Sequence, residues 1–576
     1  MTSDSLFDLA RVPFSRHGSY LAISRLPAHN ERPAGLYLRF IRGSQPTVLL
    51  RLEPCWQGQP AACQEAASPE SLSLVHPAGQ LEFCLTPDNR LRIRGRGLGI
   101  RLLHDFGPHK FAVPAPDGKW RLYCGTVKLM LESLCGKLKV DAPWEPVRLG
   151  NSPHQRSRYL DIHCQPDSEA GCEMILSYHE GEYVPPKERT TFEQAVETNR
   201  REFAQWLGNT AAVPDQYAEA RRLAAYVTWS ACVPAQGNFD HPAMLMSKNH
   251  MVKVWNWDNC FNAWASMHRD PTAAWRQFML HLRWQNPFGA LGDGITENEI
   301  EWQHTKPPVH GWILSKLRQI GSGIERRKLA EVYPLLIRWT RWWQRCRDDD
   351  GDGLVQCLHG NDTGWDNATL FDVGMPVESP DLNALLILQI EELAELAQIL
   401  GKPAAAKQWR REARRLLHRL LDHSWNGRQF LAPVSGSHRT AAQGDCLLAR
   451  IPIVLGQRLP REVRERLLQD LREPGRFLVE HGLTTESRRS PLFLENGYWR
   501  GAVWAPPMMM IVDGLRDCGE HEFADDLCRR FCDNCARHGF AENFDGSSGE
   551  ACCDPAYTWT ASSFLIMANS LMNSQE

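Results

Sequence analysis

An antiparallel β-sandwich followed by an all-α region, its helices paired into a closed double ring, is the fold class predicted by this multidomain chain of 576 residues. Three observations predict it. Short β-rich runs separated by turn residues fill the first third, and helical periodicity holds from about residue 215 to the end. Tryptophan is divided unevenly, with Trp56, Trp120, Trp144 and Trp206 the only four before residue 210 and 17 beyond it. A chain this long exceeds what one core usually organises, so two domains are expected.

The strands come first. "GLYLRFIRG", "TVLLRLEP", "LEFCLTP" and "CEMILSYHEG" are short, β-rich and bounded by Gly, Pro, Asp and Asn, which places an antiparallel sandwich domain at 1–195. The polar, helix-forming stretch through "FEQAVETNRREFAQWLG" reads as a connector, 196–214. The all-α domain then takes 215–576, with about twelve helical segments expected at 215–233, 257–268, 271–285, 307–319, 325–346, 380–401, 402–424, 440–454, 460–471, 499–517, 520–537 and 557–573. "LNALLILQIEELAELAQIL" repeats its apolar residues every three or four positions, and the "GKP" that follows is a stop signal.

Bulk properties exclude several functions. The formal net charge is −3, from 65 basic and 68 acidic residues, which leaves no electrostatic footprint for nucleic acid or an anionic membrane. Acids near the start, and the absence of any charge-free run long enough to span a bilayer, predict a cytoplasmic protein with a small or neutral partner. The 18 cysteines are scattered and read as reduced, buried small hydrophobes. Cys532 and Cys535 lie inside a helical pattern without a second CxxC, a poor zinc signature.

The connections between helices are long and rich in Trp, Asp, Glu and Gly, as in "GALGDGITENEIEWQHTKPP" and "HGFAENFDGSSGEACCDPAYTW". Long loops in a compact domain usually carry function, and alternate helix ends of a ring would bring them together. A pocket lined by indoles and carboxylates suits a sugar, whose C–H faces stack on aromatic rings. Trp339, Trp342 and Trp343 in "IRWTRWWQRC", by contrast, read as core. Cleaving a glycosidic bond requires one carboxylic acid to protonate the leaving oxygen and a second carboxylate at the anomeric centre. Asp366 in "TGWDN" and Glu542 in "AENFD" are the candidates.

Five motifs in order, "VWNWDNCF" (254–261), "TKPPVHGW" (305–312), "TGWDNA" (363–368), "GYWRGAVW" (497–504) and "AENFDGSSGE" (541–550), make residues 215–576 resemble glycoside hydrolase family 63 and the related trehalases. The resemblance implies an (α/α)₆ barrel, the six-hairpin toroid, and hydrolysis of α-glycosides with inversion. It makes Asp366 the general acid and Glu542 the general base, sets Trp257 and Asp258 in the sugar subsite, and borders that pocket with Trp499 and Arg500. Two positions depart from the pattern: Asp362 stands where relatives have Glu, and Lys306 stands where trehalases have a glutamine, which argues against trehalose.

Asp366 flanked by Trp365 would be partly desolvated and so hold its proton, while Glu542 beside Asn543 and Asp545 is expected to stay ionised. Inversion predicts a carboxyl separation of roughly 6.5–9.5 Å. Lys306 is either a solvated rim charge or the partner of an acidic aglycone, as in the hexosylglycerates on which some relatives act. No cofactor is required. "RDDDGDGLV" copies the opening of a calcium loop in Asp348, Asp350, Asp352 and Gly353, but His359 stands where the bidentate Glu would fall; relatives with calcium at such a loop take further ligands from elsewhere, which makes it a candidate structural calcium site. The expected function is therefore an inverting α-glycosidase acting on a small α-glucoside, related α-hexoside or oligosaccharide. A debranching amylo-α-1,6-glucosidase, a glycoside phosphorylase and a catalytically silent carbohydrate-binding protein are the alternatives.

Overall fold

A computed structural model describes residues 5–572 except 105, 106, 108, 168–170, 188, 321 and 322. The expected domain ends at 1–4 and 573–576 lie outside the described residues. The chain forms two compact units: Met1–Gly208 with Tyr226–Gln236 and Lys248–Val252, and Asn209–Ala225 with Gly237–Ser247 and Lys253–Glu576.

The first unit holds two large antiparallel sheets. One runs through Leu21–Leu26, Gly35–Phe40, Thr47–Trp56, Gly99–His104, Leu160–Gln165 and Lys137–Asp141, with Gln59–Pro60 paired to the third of these. The other orders Phe111–Pro114, Trp120–Cys124, Val127–Cys135, Cys172–His179, Arg90–Arg96, Gly79–Leu85, Leu72–His76 and Gln64–Ala67. Period-2 alternation sets the register, because a slip by one residue would turn every apolar side chain to water. It aligns Leu36, Leu52, Leu102 and Ile162 in one buried row and Met174, Ile93, Phe83 and Leu72 in another. Each such side chain stabilises the fold by about 1.5–3 kcal/mol.

The expected connector is not a linker. Residues Phe192–Gly208 form helix α1, which buries Phe192 and Ala195 against Cys84, while the amide of Asn199 donates to the Leu85 carbonyl at 2.8 Å. The Arg94 guanidinium lies 4.0 Å over the Phe192 ring. Its apolar positions recur on one face, so the polar residues that suggested a connector are only its solvated side. The same unit takes in Lys248, whose buried ammonium donates to Ser15 Oγ at 3.0 Å and to the carbonyls of Arg16, Ser19 and Cys232.

In the second unit, helix α2 (Ala218–Ser230) begins the helical region and continues into the first unit. Then follow α3 (Asp258–Arg269), α4 (Pro271–Arg283), α5 (His310–Gln319), α6 (Arg326–Cys346), α7 (Pro380–Ile399), α8 (Pro403–Ser424), α9 (Arg461–Arg472), α10 (Ala505–Asp517), α11 (His521–His538) and α12 (Thr558–Met572). The expected boundaries hold within a few residues for most, residue 573 lying outside the described chain. The α-helix expected at 440–454 is instead a 3₁₀ segment, Leu447–Arg458, because Pro452 removes a donor and Gly456 sits at φ 55°.

Helices α3, α5 and α7, the 3₁₀ segment, α10 and α12 pack each on the next, and α12 returns to α3, so the inner elements close on themselves. Around them, α4 packs on α3, α8 on α7, α9 on the 3₁₀ segment and α11 on α10. Sequence dictates which helix is inner. Helix α7 is apolar around its circumference and nearly every residue is buried, whereas α8 is amphipathic with Arg-rich turns that face water. Trp339, Trp342 and Trp343 of α6 are core as expected, stacked at 5.1 Å (Trp339 on Trp342) and edge-on at 5.3 Å (Trp339 to Trp343). Among the described residues every cysteine is a free thiol, and no helix is long and apolar enough to cross a membrane.

Candidate active site

The loops that lead into the inner helices carry the motif residues. Trp257 caps α3 and Asp258 is its first residue; Lys306 lies four residues before α5. Asp366 sits between two 3₁₀ turns, Gly360–Thr363 and Thr369–Val373, ahead of α7. Tyr498–Arg500 form a turn ahead of α10, and Glu542 precedes α12.

Aromatic packing locks these loops together. Trp499 stacks on Trp504 at 4.0 Å and 9°, meets Trp365 at 4.8 Å and Trp257 at 6.3 Å, while Trp257 stands edge-on to Trp559 at 5.6 Å. Gly364, at φ 76°, presses directly on the Trp257 indole, where a Cβ would collide with the ring, so the Gly of "GWD" is demanded by both space and backbone. Trp257, Trp365 and Trp499 are 1–2% exposed. They are fixed walls rather than the open platforms that an exposed-aromatic argument would expect.

The acids sit inside this cage. Glu542 is 5% exposed; the Tyr498 hydroxyl donates to its Oε1 at 3.1 Å. Burial, reinforced by the negative charges of Asp554 and Asp258, pushes its carboxyl up to about 8. This corrects the expectation that polar neighbours keep it ionised: Asn543 and Asp545 adjoin it in sequence, but the groups that set its charge state are Asp554, Asp258 and Tyr498. Asp366 is half-buried and also raised by burial, but Lys306, His359 and His304 oppose the rise. Asp258 is pushed up to about 7 by burial, against the pull of Lys306 and of the Tyr557 hydroxyl, which donates to its Oδ1 at 2.9 Å. The N-terminus of α3 favours the carboxylate by only about 0.3–1 kcal/mol, too little to offset that burial.

Lys306 is neither solvated nor at a rim. It is 5% exposed, pairs with Asp293 at 3.3 Å, and donates to the Asn361 backbone carbonyl at 3.1 Å and to the Asn361 side chain. Its charge acts on Asp258, Asp293 and Asp366 alike. Asp362 is 2% exposed and accepts from the Thr305 amide at 3.2 Å and the Leu358 amide at 2.9 Å, so it ties the Lys306 loop to the Asp366 loop. Arg500 spends its guanidinium on the Asn367 carbonyl, at 2.8 Å, and on Asp372, bracing the Asp366 loop.

Sequence reasoning missed Asp293, Tyr498, Tyr557, His304 and His359. Tyr498 lies inside a quoted motif and feels both Glu542 and Asp366, and the rings of His304 and His359 pack at 4.9 Å within reach of the Asp366 charge. The others stand in loops without a period to mark them.

The carboxylates of Asp348, Asp350 and Asp352 converge within 4.8 Å, a set that could hold a cation. Part of their capacity is used locally: the amides of Gly353, Leu354 and Gly436 donate to Asp348, Asp352 and Asp350 at 3.3, 2.8 and 2.7 Å. His359 does not complete a calcium loop; its Nδ1 accepts from the Asn361 amide.

The profile of the mannosylglycerate hydrolase MGH1-like glycoside hydrolase domain matches residues 251–560. A mannosylglycerate hydrolase of Rubrobacter radiotolerans is 25% identical over 327 residues, 45% of this chain and 73% of that protein. Mannosylglycerate hydrolase MGH1 of Selaginella moellendorffii is 22% identical over 411 residues, 57% of this chain and 82% of its own. Among solved structures, the family 63 mannosylglycerate hydrolase from Thermus thermophilus in complex with Tris and D-glycerate superposes with a TM-score of 0.51 at 20% identity, over 60% of this chain and 99% of that one. The profile spans more than half the sequence and includes all five motif loops, and the chain is therefore a glycoside hydrolase belonging to the MGH1-like family.

Proposed function

We propose that this enzyme hydrolyses a small α-hexoside with an acidic aglycone, an α-hexosylglycerate, with inversion at the anomeric carbon. One observation carries the reading: Glu542, buried and hydrogen-bonded to the Tyr498 hydroxyl, and Asp366, half-buried beside Trp365, come from loops 176 residues apart in sequence, and the charges of both act on Tyr498. The closed ring of inner elements, with the motif loops leading into them, supports reading the helical unit as an (α/α)₆ barrel.

In this mechanism Asp366 gives its proton to the glycosidic oxygen as the bond from that oxygen to the anomeric carbon breaks and its electron pair moves to the oxygen. Glu542 takes a proton from a water whose oxygen bonds the opposite face of the anomeric carbon. The hexose leaves with the new hydroxyl and the aglycone with the donated proton. Trp257, Trp365 and Trp499 wall the sugar, and Asp258, held by Tyr557, accepts from its hydroxyls. Lys306 supplies a buried positive field to the acids rather than a direct contact at the rim. The aglycone carboxylate lies on the acid's side, where His304 and His359 offer imidazole donors. The relatives, mannosylglycerate and glucosylglycerate hydrolases among them, support the glycerate.

Product release from α-glucosyl-, α-mannosyl- and α-galactosylglycerate and from uncharged α-glucosides, with the anomer followed by NMR, tests this. The expected result is a β-hexose appearing first from a hexosylglycerate, with uncharged glucosides cleaved far more slowly. An α-anomer first, or turnover only with added phosphate, overturns the mechanism.

The charge environment also sets a pH signature. Anions raise Glu542 while cations restrain Asp366, so Glu542 loses its proton at the higher pH, and the competent form, base ionised and acid protonated, is the minor one. The upper break of the kcat/KM profile then belongs to Glu542. The Tyr498 hydrogen bond favours the Glu542 carboxylate, so Tyr498→Phe is expected to move that upper break to higher pH and lower the plateau. Movement of the lower break instead would reverse the assigned order.

A further inference from the structure

Beside the aspartate loop, a second group of donors stands apart from the catalytic machinery. Glu378 lies two residues before α7, His423 lies in the last turn of α8, and His438 follows in the next loop; one donor atom from each lies within 4.8 Å of the other two. His423 Nε2 is 3.0 Å from Glu378 Oε2 and 3.4 Å from Asp352 Oδ2, and the His423 and His438 rings meet edge-on at 4.7 Å.

The geometry of these contacts is unusual for a salt bridge. Glu378 is 1% exposed, yet neither of its oxygens, nor His423 Nε2, has a hydrogen-bond partner of good geometry, although Ser435 and Asp350 approach the carboxylate. The three donor atoms are thus gathered within 4.8 Å of one another while the buried ones keep unused hydrogen-bonding capacity. Donors about 2.1 Å from a tetrahedral ion are separated by about 3.4 Å, comparable to the 3.0 Å between His423 Nε2 and Glu378 Oε2. A buried carboxylate without a directed partner is costly, and a cation resolves it. Two imidazoles in the set select against hard ions such as calcium and toward borderline ones.

We propose that Glu378, His423 and His438 form a binding site for a borderline divalent metal ion of the Zn²⁺ class, with Asp352 beside His423 adding negative charge to it. Its place in the fold gives it a task. Val377, next to Glu378, pairs with Cys357 and Val434, and the chain between Cys357 and Val377 is the loop that carries Asp366. A metal at Glu378 clamps the base of that loop to the end of α8. His438 is exposed, which gives the ion an entry path.

The test uses untagged full-length protein stripped with a chelator and titrated calorimetrically with Zn²⁺, and separately with Ni²⁺ and Ca²⁺, alongside thermal unfolding. The wild type is expected to bind one Zn²⁺ and to unfold at a higher temperature when loaded. His438→Ala, a surface change that does not threaten folding, and His423→Gln are expected to weaken binding by at least roughly tenfold and to abolish the thermal shift. A Zn²⁺ isotherm unchanged in both variants, or binding of Ca²⁺ alone, overturns the proposal, and the second result would assign the cation to Asp348, Asp350 and Asp352.

Discussion

Asp366→Asn and Glu542→Gln are each expected to lower kcat by about 10²–10⁴-fold, the range that a positioned general acid or base supplies, with the double variant little worse than either single one. The two should separate on substrates with different leaving groups. An activated aryl α-hexoside needs little protonation of its departing oxygen, so it should rescue Asp366→Asn and leave Glu542→Gln inactive. Rescue of both, or of Glu542→Gln alone, would exchange the roles. Glu542→Gln carries a second, opposite effect on stability. The carboxyl is raised to about 8 in the fold, so the native state holds its proton more tightly than the unfolded chain does. Its contribution is fully present below the unfolded value and is lost as pH rises through about 8. The amide cannot ionise, so the variant is expected to have a higher Tm than wild type at pH about 9 and nearly the same Tm at pH about 4, below the unfolded value.

Lys306→Met is expected to have the largest effect on folding. The ammonium faces Asp293 at 3.3 Å, and its field reaches Asp258 and Asp366, all three burdened by burial. Removing one partner of a buried charge group leaves the others uncompensated, at a cost of about 3–5 kcal/mol. The sign with pH is definite. Without the cation the acids hold their protons to higher pH, so the loss in Tm should be greatest in alkali and shrink toward pH about 4, where the acids become neutral. An equal loss at both ends of the pH range would mean that Lys306 stabilises by packing its stem alone. In the same variant Asp366 is expected to ionise later, moving the lower break of the kcat/KM profile upward.

The larger elements were legible because their signals are local. Strand alternation and helical periodicity repeat within ten residues, and "GKP" after α7 or Pro403 at the start of α8 mark ends without reference to the rest of the chain. The 3₁₀ segment misled because its apolar residues keep a helical look while Pro452 changes the hydrogen bonding. Within the site, Trp257, Trp365, Asp366, Trp499 and Glu542 were readable as indoles and acids placed side by side in loops. What surrounds them was not. Asp258 touches Tyr557 across 299 residues and Tyr498 reaches Glu542 across 44, distances over which no sequence pattern extends. Charge states depend on those neighbours, which is why the sequence alone reads Glu542 as ionised and leaves Lys306 open between a solvated rim charge and the partner of an acidic aglycone. Arg500 looked like a ligand for sugar because of its motif, whereas its guanidinium is committed to Asn367 and Asp372.

The first unit gathers Tyr226–Gln236 and Lys248–Val252 from beyond Gly208, and the buried Lys248 ammonium finds its acceptors in Ser15, Arg16, Ser19 and Cys232. No single scissor cut in the gene can therefore separate the two units. A cassette starting at residue 215 would carry off Lys248 and leave three of its four acceptor residues behind, a buried cation with most of its oxygen cradle missing. Recombination at a single junction would meet the same obstacle, since it splits a cradle that the first unit gathers from three stretches of chain. A unit interleaved in this way can be exchanged only with all of its separate stretches at once.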